Sequence, residues 1–281
     1  MSYHLFTRLL IKSAFFTLGM LLVWMGFNEF VSGSIWEGMT VSKSALTVEY
    51  CEFNNVHKLF HQSTNTYSNL AYFFFGVLII QIAWEDYKNS DKKSLNRMGQ
   101  FPLLSAVMGI CFIYLSFGSA FFHASLTYLG QRVDMNGTYG VSITLLSIGI
   151  YQILHKVYFS KTLKYLWVGS LVLLIMAFLK IALLISSSIL LPAMILLLTI
   201  INVVNYFQFR KERFIIIAIL SFVLIIVALK IRTLDVQKIG CDPHAFYQGH
   251  ALWHLLTALS SFCSYAFFRF SKPLLVNDLH K

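Results

Sequence analysis

The stretch that decides the fold runs from Leu163 to Phe207: LKYLWVGSLVLLIMAFLKIALLISSSILLPAMILLLTIINVVNYF. About 45 residues pass with two lysines, Lys164 and Lys180, and no acid. A helix crosses a bilayer with about 20 apolar residues. This run is therefore two crossings, and Ser186-Ser187-Ser188 is the polar interruption between them. The rest of the chain reads in the same way. Apolar runs place further spans at roughly 12–31, 66–84, 101–124, 135–155, 213–231 and 248–270, beside 163–183 and 187–207, which makes eight. The first run is longer than a signal-peptide core of 7–15 residues, and no small-residue cleavage site precedes Trp36, so it is expected to remain as a helix.

Composition agrees. Only 12% of the residues are charged and 57% are hydrophobic, where a soluble domain carries about 25% charged. A cytosolic enzyme, a disordered chain and a disulfide scaffold are excluded. So is a membrane barrel, whose strands alternate over about 10 residues. The class is an all-α polytopic membrane bundle. No internal repeat, low-complexity segment or long linker divides it.

The net charge of +10 comes from 22 basic and 12 acidic residues. It points to topology rather than to nucleic acid. Arg8, Lys12, Lys88, Lys92, Lys93, Arg97, Lys156, Lys161, Lys164, Arg210, Lys211, Arg213, Arg269, Lys272 and Lys281 all fall on one side of an eight-span chain. Lys43, Lys58, Arg132, Lys230, Arg232 and Lys238 fall on or near the other, and Lys180 can snorkel outward. Basic loops stay inside, so both termini are expected in the cytoplasm. Of four cysteines, Cys111 and Cys263 sit in apolar runs. Cys51 and Cys241 sit in outer connections, where they could pair on an oxidising side.

Polar residues inside such spans are functional candidates by default. Ser119 and His123 close the third span, Asp134 opens the fourth, and His250 and His254 open the eighth. Topology brings all five to one depth near the outer face. Residues 250 and 254, and likewise 119 and 123, share a helix face. Three neutral imidazoles with an open fourth position suit a catalytic zinc, with Asp134 as a proton acceptor and Ser119 as a donor to a developing oxyanion. Other readings stay open on these residues alone: structural histidines, a Ser119–His123–Asp134 hydrolase without a nucleophile elbow, or a proton relay in a transporter. A second group precedes the next span: Glu49-Tyr50-Cys51-Glu52-Phe53-Asn54, then Gln62. Its oxygens suit a hard cation such as calcium, or equally a solvated loop. His57, His61 and His244 read as loop residues.

In this order the motifs resemble the alkaline ceramidases. That family belongs to a superfamily of seven-helix membrane hydrolases, with progestin/adipoQ receptors and Per1-type GPI-anchor-remodelling hydrolases. The resemblance runs from about Glu49 to Phe270. It rests on Tyr50 to Asn54, Asn65-Thr66-Tyr67-Ser68-Asn69, Gly118-Ser119 through His123 to Asp134, Cys241-Asp242, and His250-Ala251-Leu252-Trp253-His254. It implies a seven-helix core (46–271) preceded by an extra helix within 1–45 and followed by a tail, 272–281. It implies zinc on His123, His250 and His254, with Ser119 and Asp134 beside the water that zinc activates. It implies calcium on Glu49, the Tyr50 carbonyl, Glu52, Asn54 and Gln62, and a Cys51–Cys241 disulfide.

Three departures stand out: Glu49 replaces the usual aspartate and Tyr50 a tryptophan, Gln62 replaces a carboxylate, and an extra first span precedes the seven-helix core. The implied activity is hydrolysis of the N-acyl bond of ceramide or a related lipid amide. The alternatives are a lipid esterase or a receptor with a structural zinc. The partners implied are lipid substrate and bilayer, with no nucleic acid and no obligate protein partner. The membrane expected is the cell membrane of a bacterium or the ER/Golgi of a eukaryote, with the active site on the outer or lumenal face.

Overall fold

A computed structural model describes residues 2–89 and 97–270, except the side chain of residue 183. Lys92, Lys93, Lys272, Lys281 and the expected tail 272–281 lie outside the described residues. Ten α-helices follow in order: α1 Tyr3–Phe30, α2 Lys43–Leu46, α3 Ser63–Ser68, α4 Leu70–Lys88, α5 Pro102–Ser125, α6 Tyr128–Ile153, α7 Lys161–Leu184, α8 Ser187–Gln208, α9 Ile215–Val236 and α10 Gly249–Arg269. No strand forms among the described residues. Seven segments are long and apolar enough to cross a membrane, α3 and α4 counting as one. The remaining expected span, the fourth (135–155), is α6, which has 26 residues but carries Arg132, Asp134, Asn136 and Gln152. Its mean hydropathy falls short for that reason, although its length suffices. The protein is an all-α polytopic bundle, an N-terminal helix added to a seven-helix core.

Capping explains where helices start. Ser186 accepts from Ser188 N at 3.3 Å and opens α8, so the serine run does divide the long apolar stretch. Thr127 Oγ1 accepts from Gly130 N at 3.1 Å, which opens α6 seven residues before the expected position. A capping side chain satisfies a free helix-end amide that apolarity alone does not register. The expected span 66–84 is interrupted at Asn69, where the helix tightens: Asn69 O accepts from Tyr72 N, and also from Ser116 Oγ at 2.8 Å.

Glycines set the spacing around the future site. A Cβ on Gly130 would stand 2.8 Å from Phe122 Cα, and one on Gly137 2.8 Å from Leu115 Cα. Small residues let membrane helices approach at backbone distance. The α5–α6 turn is two residues long, with Leu126 left-handed at φ 52°. Ser119 and His123 on α5 are thereby held against Asp134 on α6.

The remaining architecture ties helices at both ends. At the basic end, buried Arg269 pairs with Asp86, with Nε to Oδ2 at 2.7 Å, joining α10 to α4. At the other end, Arg132 donates to Leu179 O at 2.5 Å and Ala182 O at 3.4 Å, satisfying carbonyls in the last turns of α7. A cation there also suits the helix dipole. α1 is peripheral, with only Leu9, Ser13 and Trp24 buried, and meets the core through α4, where Gln81 donates to Ser13 Oγ at 2.8 Å.

Candidate metal centre

His123, His250 and His254 are fully buried, and one ring nitrogen from each lies within 4.8 Å of the others. They come from the end of α5 and the first two turns of α10. Their hydrogen bonds decide which nitrogen faces inward. Ser68 Oγ donates its one proton to Asn65 O at 2.8 Å. It must therefore accept from His254 Nδ1, 2.7 Å away. Gln62 spends its NH2 on Asn54 Oδ1 at 2.8 Å, so its Oε1 accepts from His123 Nδ1 at 2.8 Å. Both rings are protonated on Nδ1, which leaves a lone pair on each Nε2. His123 Nε2 faces His250 Nε2 at 3.2 Å. Outer hydrogen bonds of this kind fix tautomer and orientation at metal-bound imidazoles. His250 Nδ1 is buried without a partner. The donor set fits zinc: three clustered imidazoles, two of them with the inward lone pair fixed by an outer hydrogen bond.

The group lies at the head of a cavity of about 800 Å³ enclosed chiefly by α5, α6, α8, α9 and α10. Ser119, Asp134, Tyr50, Tyr72, His250 and His254 line its polar end. Ser119 Oγ is buried and closes no hydrogen bond, although it lies close enough to act on the Asp134 carboxyl. Below them the wall is mainly apolar, with Leu145, Leu191, Leu198 and Phe222. Phe207, Ile215, Ile219 and Phe222 border the cavity on α8 and α9 and are also exposed on the outside of the bundle. The cavity therefore reaches the lipid-facing surface between those two helices.

The segment before α3 forms a strap over this end. Cys51 and Cys241 are joined, with Cα atoms 5.7 Å apart. Cys111 and Cys263 are free and buried. The Tyr50 ring lies on His250, centroids 3.9 Å apart. Asp235, at the end of α9, accepts from Cys51 N at 3.2 Å and His250 N at 3.3 Å. It packs so closely that a Cβ on Gly249 would stand 2.9 Å from it.

The residues expected to hold calcium make hydrogen bonds within the chain. Glu49 Oε1 accepts from Arg232 at 3.0 Å. The Glu49 carbonyl accepts from Lys238 Nζ at 3.2 Å, and the Tyr50 carbonyl accepts from the same ammonium. Glu52 accepts from Thr64 N at 2.6 Å and Asn65 N at 2.8 Å. Burial pushes its carboxyl pKa up, and those two amides oppose the rise. Gln62 is a neighbour of His123. Its amide, in place of a carboxylate, supplies a neutral acceptor for an imidazole N–H.

Four participants carry no local signature. Arg232, Asp235, Lys238 and Ser68 are single polar residues at helix ends. Chain contacts 15 to 189 residues apart give them a role. His57 and His61 remain on the outer connection, and the His244 ring lies 4.9 Å from Phe53.

The fold and the site together define a helical membrane protein with a buried three-histidine group at the head of a lipid-sized cavity. The family model described as Ceramidase matches residues 42–278. The chain belongs to the ceramidase family, which makes it by class a ceramide-hydrolysing membrane enzyme acting on an amide bond. No curated protein and no solved structure matches it.

Proposed function

We propose that the protein is a zinc-dependent amidase that hydrolyses the N-acyl bond of ceramide or a related long-chain lipid amide to a sphingoid base and a free fatty acid. One observation carries this reading. Three inward-facing imidazoles, Ser119 and Asp134 meet at the polar head of a mainly apolar cavity of about 800 Å³ that reaches lipid. A substrate with two apolar tails and one amide at its polar end has that distribution of polarity.

The lipid enters sideways between α8 and α9, and its acyl chain lies along Leu145, Leu191 and Leu198. This brings the amide carbonyl up to the histidines. A bound zinc would polarise that carbonyl and lower the pKa of water at the site. Ser119 Oγ is free to donate to the carbonyl oxygen as it gains charge. Asp134 takes the proton of the attacking water and returns it to the amine as the C–N bond breaks. Ser68 and Gln62 hold their histidines in the tautomer that binds metal.

Residues 46–271 act as the hydrolase unit and α1 as an added helix. Both termini lie in the cytoplasm and the site faces the outer or lumenal side. The basic helix ends opposite the histidines support that orientation, as does a disulfide at the site end.

The test is hydrolysis by purified protein of a long-chain ceramide and its ester analogue, with and without a zinc chelator, alongside metal analysis. Near-stoichiometric zinc, faster amide than ester cleavage, and loss of turnover on chelation with recovery on adding zinc are expected. Full turnover by zinc-free protein would overturn the zinc assignment. Cleavage of the ester alone would overturn the amidase assignment.

A further inference from the structure

The strap holds oxygen atoms around a cation, and that cation belongs to the chain. Lys238 Nζ is bonded to the carbonyls of Glu49 and Tyr50. Lys238 follows α9 directly in the left-handed conformation at φ 59°, which β-carbon sterics disfavour outside glycine and asparagine. Its backbone N–H bonds to Asp235 O at 3.0 Å. Three residues later Cys241 is bonded to Cys51 inside the strap. The loop is thus fastened on both sides of the lysine, which keeps its side chain within reach of those carbonyls. Partial desolvation pulls the ammonium pKa down, and the charges of Asp235 and Glu49 oppose the fall. Arg232 supplies a second internal cation to Glu49. The remaining strap oxygens are spent on the α3 amides and on Gln62. A divalent ion placed here would displace one fixed cation and stand beside another.

We propose that Lys238 is a tethered substitute for calcium, so that the strap of this chain is ordered without a divalent ion. Its reach extends to the metal centre. Lys238 fixes the Tyr50 backbone, the Tyr50 ring lies on His250, and Asp235 holds the backbone of both strap and α10. Lys238 is therefore a positioning residue for His250. The inference rests on the strap alone and stands whatever lipid the cavity takes.

The experiment compares wild type, K238M and K238R, each as the full chain in nanodiscs at fixed free zinc. Thermal melting is followed with and without millimolar calcium, together with terbium luminescence sensitised through Tyr50. Wild type and K238R should melt at the same temperature with and without calcium and show no calcium-displaceable terbium signal. K238M should melt several degrees lower, recover with calcium, and gain a terbium signal that calcium displaces and that the added substitution E49Q removes. That gained site separates cation replacement from a merely structural lysine. A K238M protein that melts like wild type and ignores calcium would overturn the proposal. If K238M does not accumulate, equilibrium calcium binding to wild type decides. No bound ion supports the proposal, and one ion per chain held at the strap sinks it.

Discussion

The three-histidine group and the strap lie against each other, joined by the Tyr50 ring on His250, and both present atoms of the kind that bind metals. They differ in what those atoms already do. At the histidines, the outer nitrogens of His123 and His254 are engaged by Gln62 and Ser68, while His123 Nε2 faces His250 Nε2. At the strap, oxygens of all five expected calcium ligands are taken by Lys238, Arg232, two backbone amides, Gln62 or His123. Two ring nitrogens 3.2 Å apart need a proton or a metal between them. Oxygens already bonded to fixed cations do not. Ligand-type residues in the right order therefore mark a metal site only when the rest of the chain leaves them unsatisfied.

This contrast can be broken most sharply at the histidines. His250→Ala combined with His254→Ala should abolish both zinc content and ceramide turnover, read by metal analysis and product release. Retained turnover would put the chemistry elsewhere. The next largest effects should come from the two residues at the cavity head. Ser119→Ala should lower kcat by about 10²–10³-fold and Asp134→Asn by about 10²–10⁴-fold, with zinc content unchanged in both. Loss of zinc in either variant would make it a ligand.

Smaller still is the effect of the outer hydrogen bonds. Gln62→Leu and Ser68→Ala should each weaken zinc by about 10–100-fold, measured by competition with a chromogenic chelator. Gln62→Glu, which keeps an acceptor for His123 Nδ1, should not. Equal affinity across all three would mean that the tautomers are set by something else. The smallest effect expected is that of calcium. Turnover at fixed free zinc should be the same with and without it, and a several-fold stimulation would return the strap to the metal-binding side of the comparison.

Much of the fold was legible because the bilayer imposes a one-dimensional rule. Twenty apolar residues must form a helix, and the serine run at 186–188 had to break the long stretch. Helix starts were less legible. Thr127 and Asn69 act through a few specific hydrogen bonds, which hydropathy does not register. The five residues Ser119, His123, Asp134, His250 and His254 were legible as candidates, since ionisable groups at that depth need a reason.

The sequence by itself determined the membrane class, the number of long helices and the depth at which the polar residues collect. Each of these follows from chain-local hydropathy and from the alternating direction of successive spans. The tertiary structure alone decided which of those residues are free to act. Gln62 serves a histidine, Lys238 fills the strap, and Asp235 joins both to α10, because hydrogen-bond partners are allotted in space between segments up to about 190 residues apart. Each donor and acceptor has a limited capacity, and sequence order does not record where it is used.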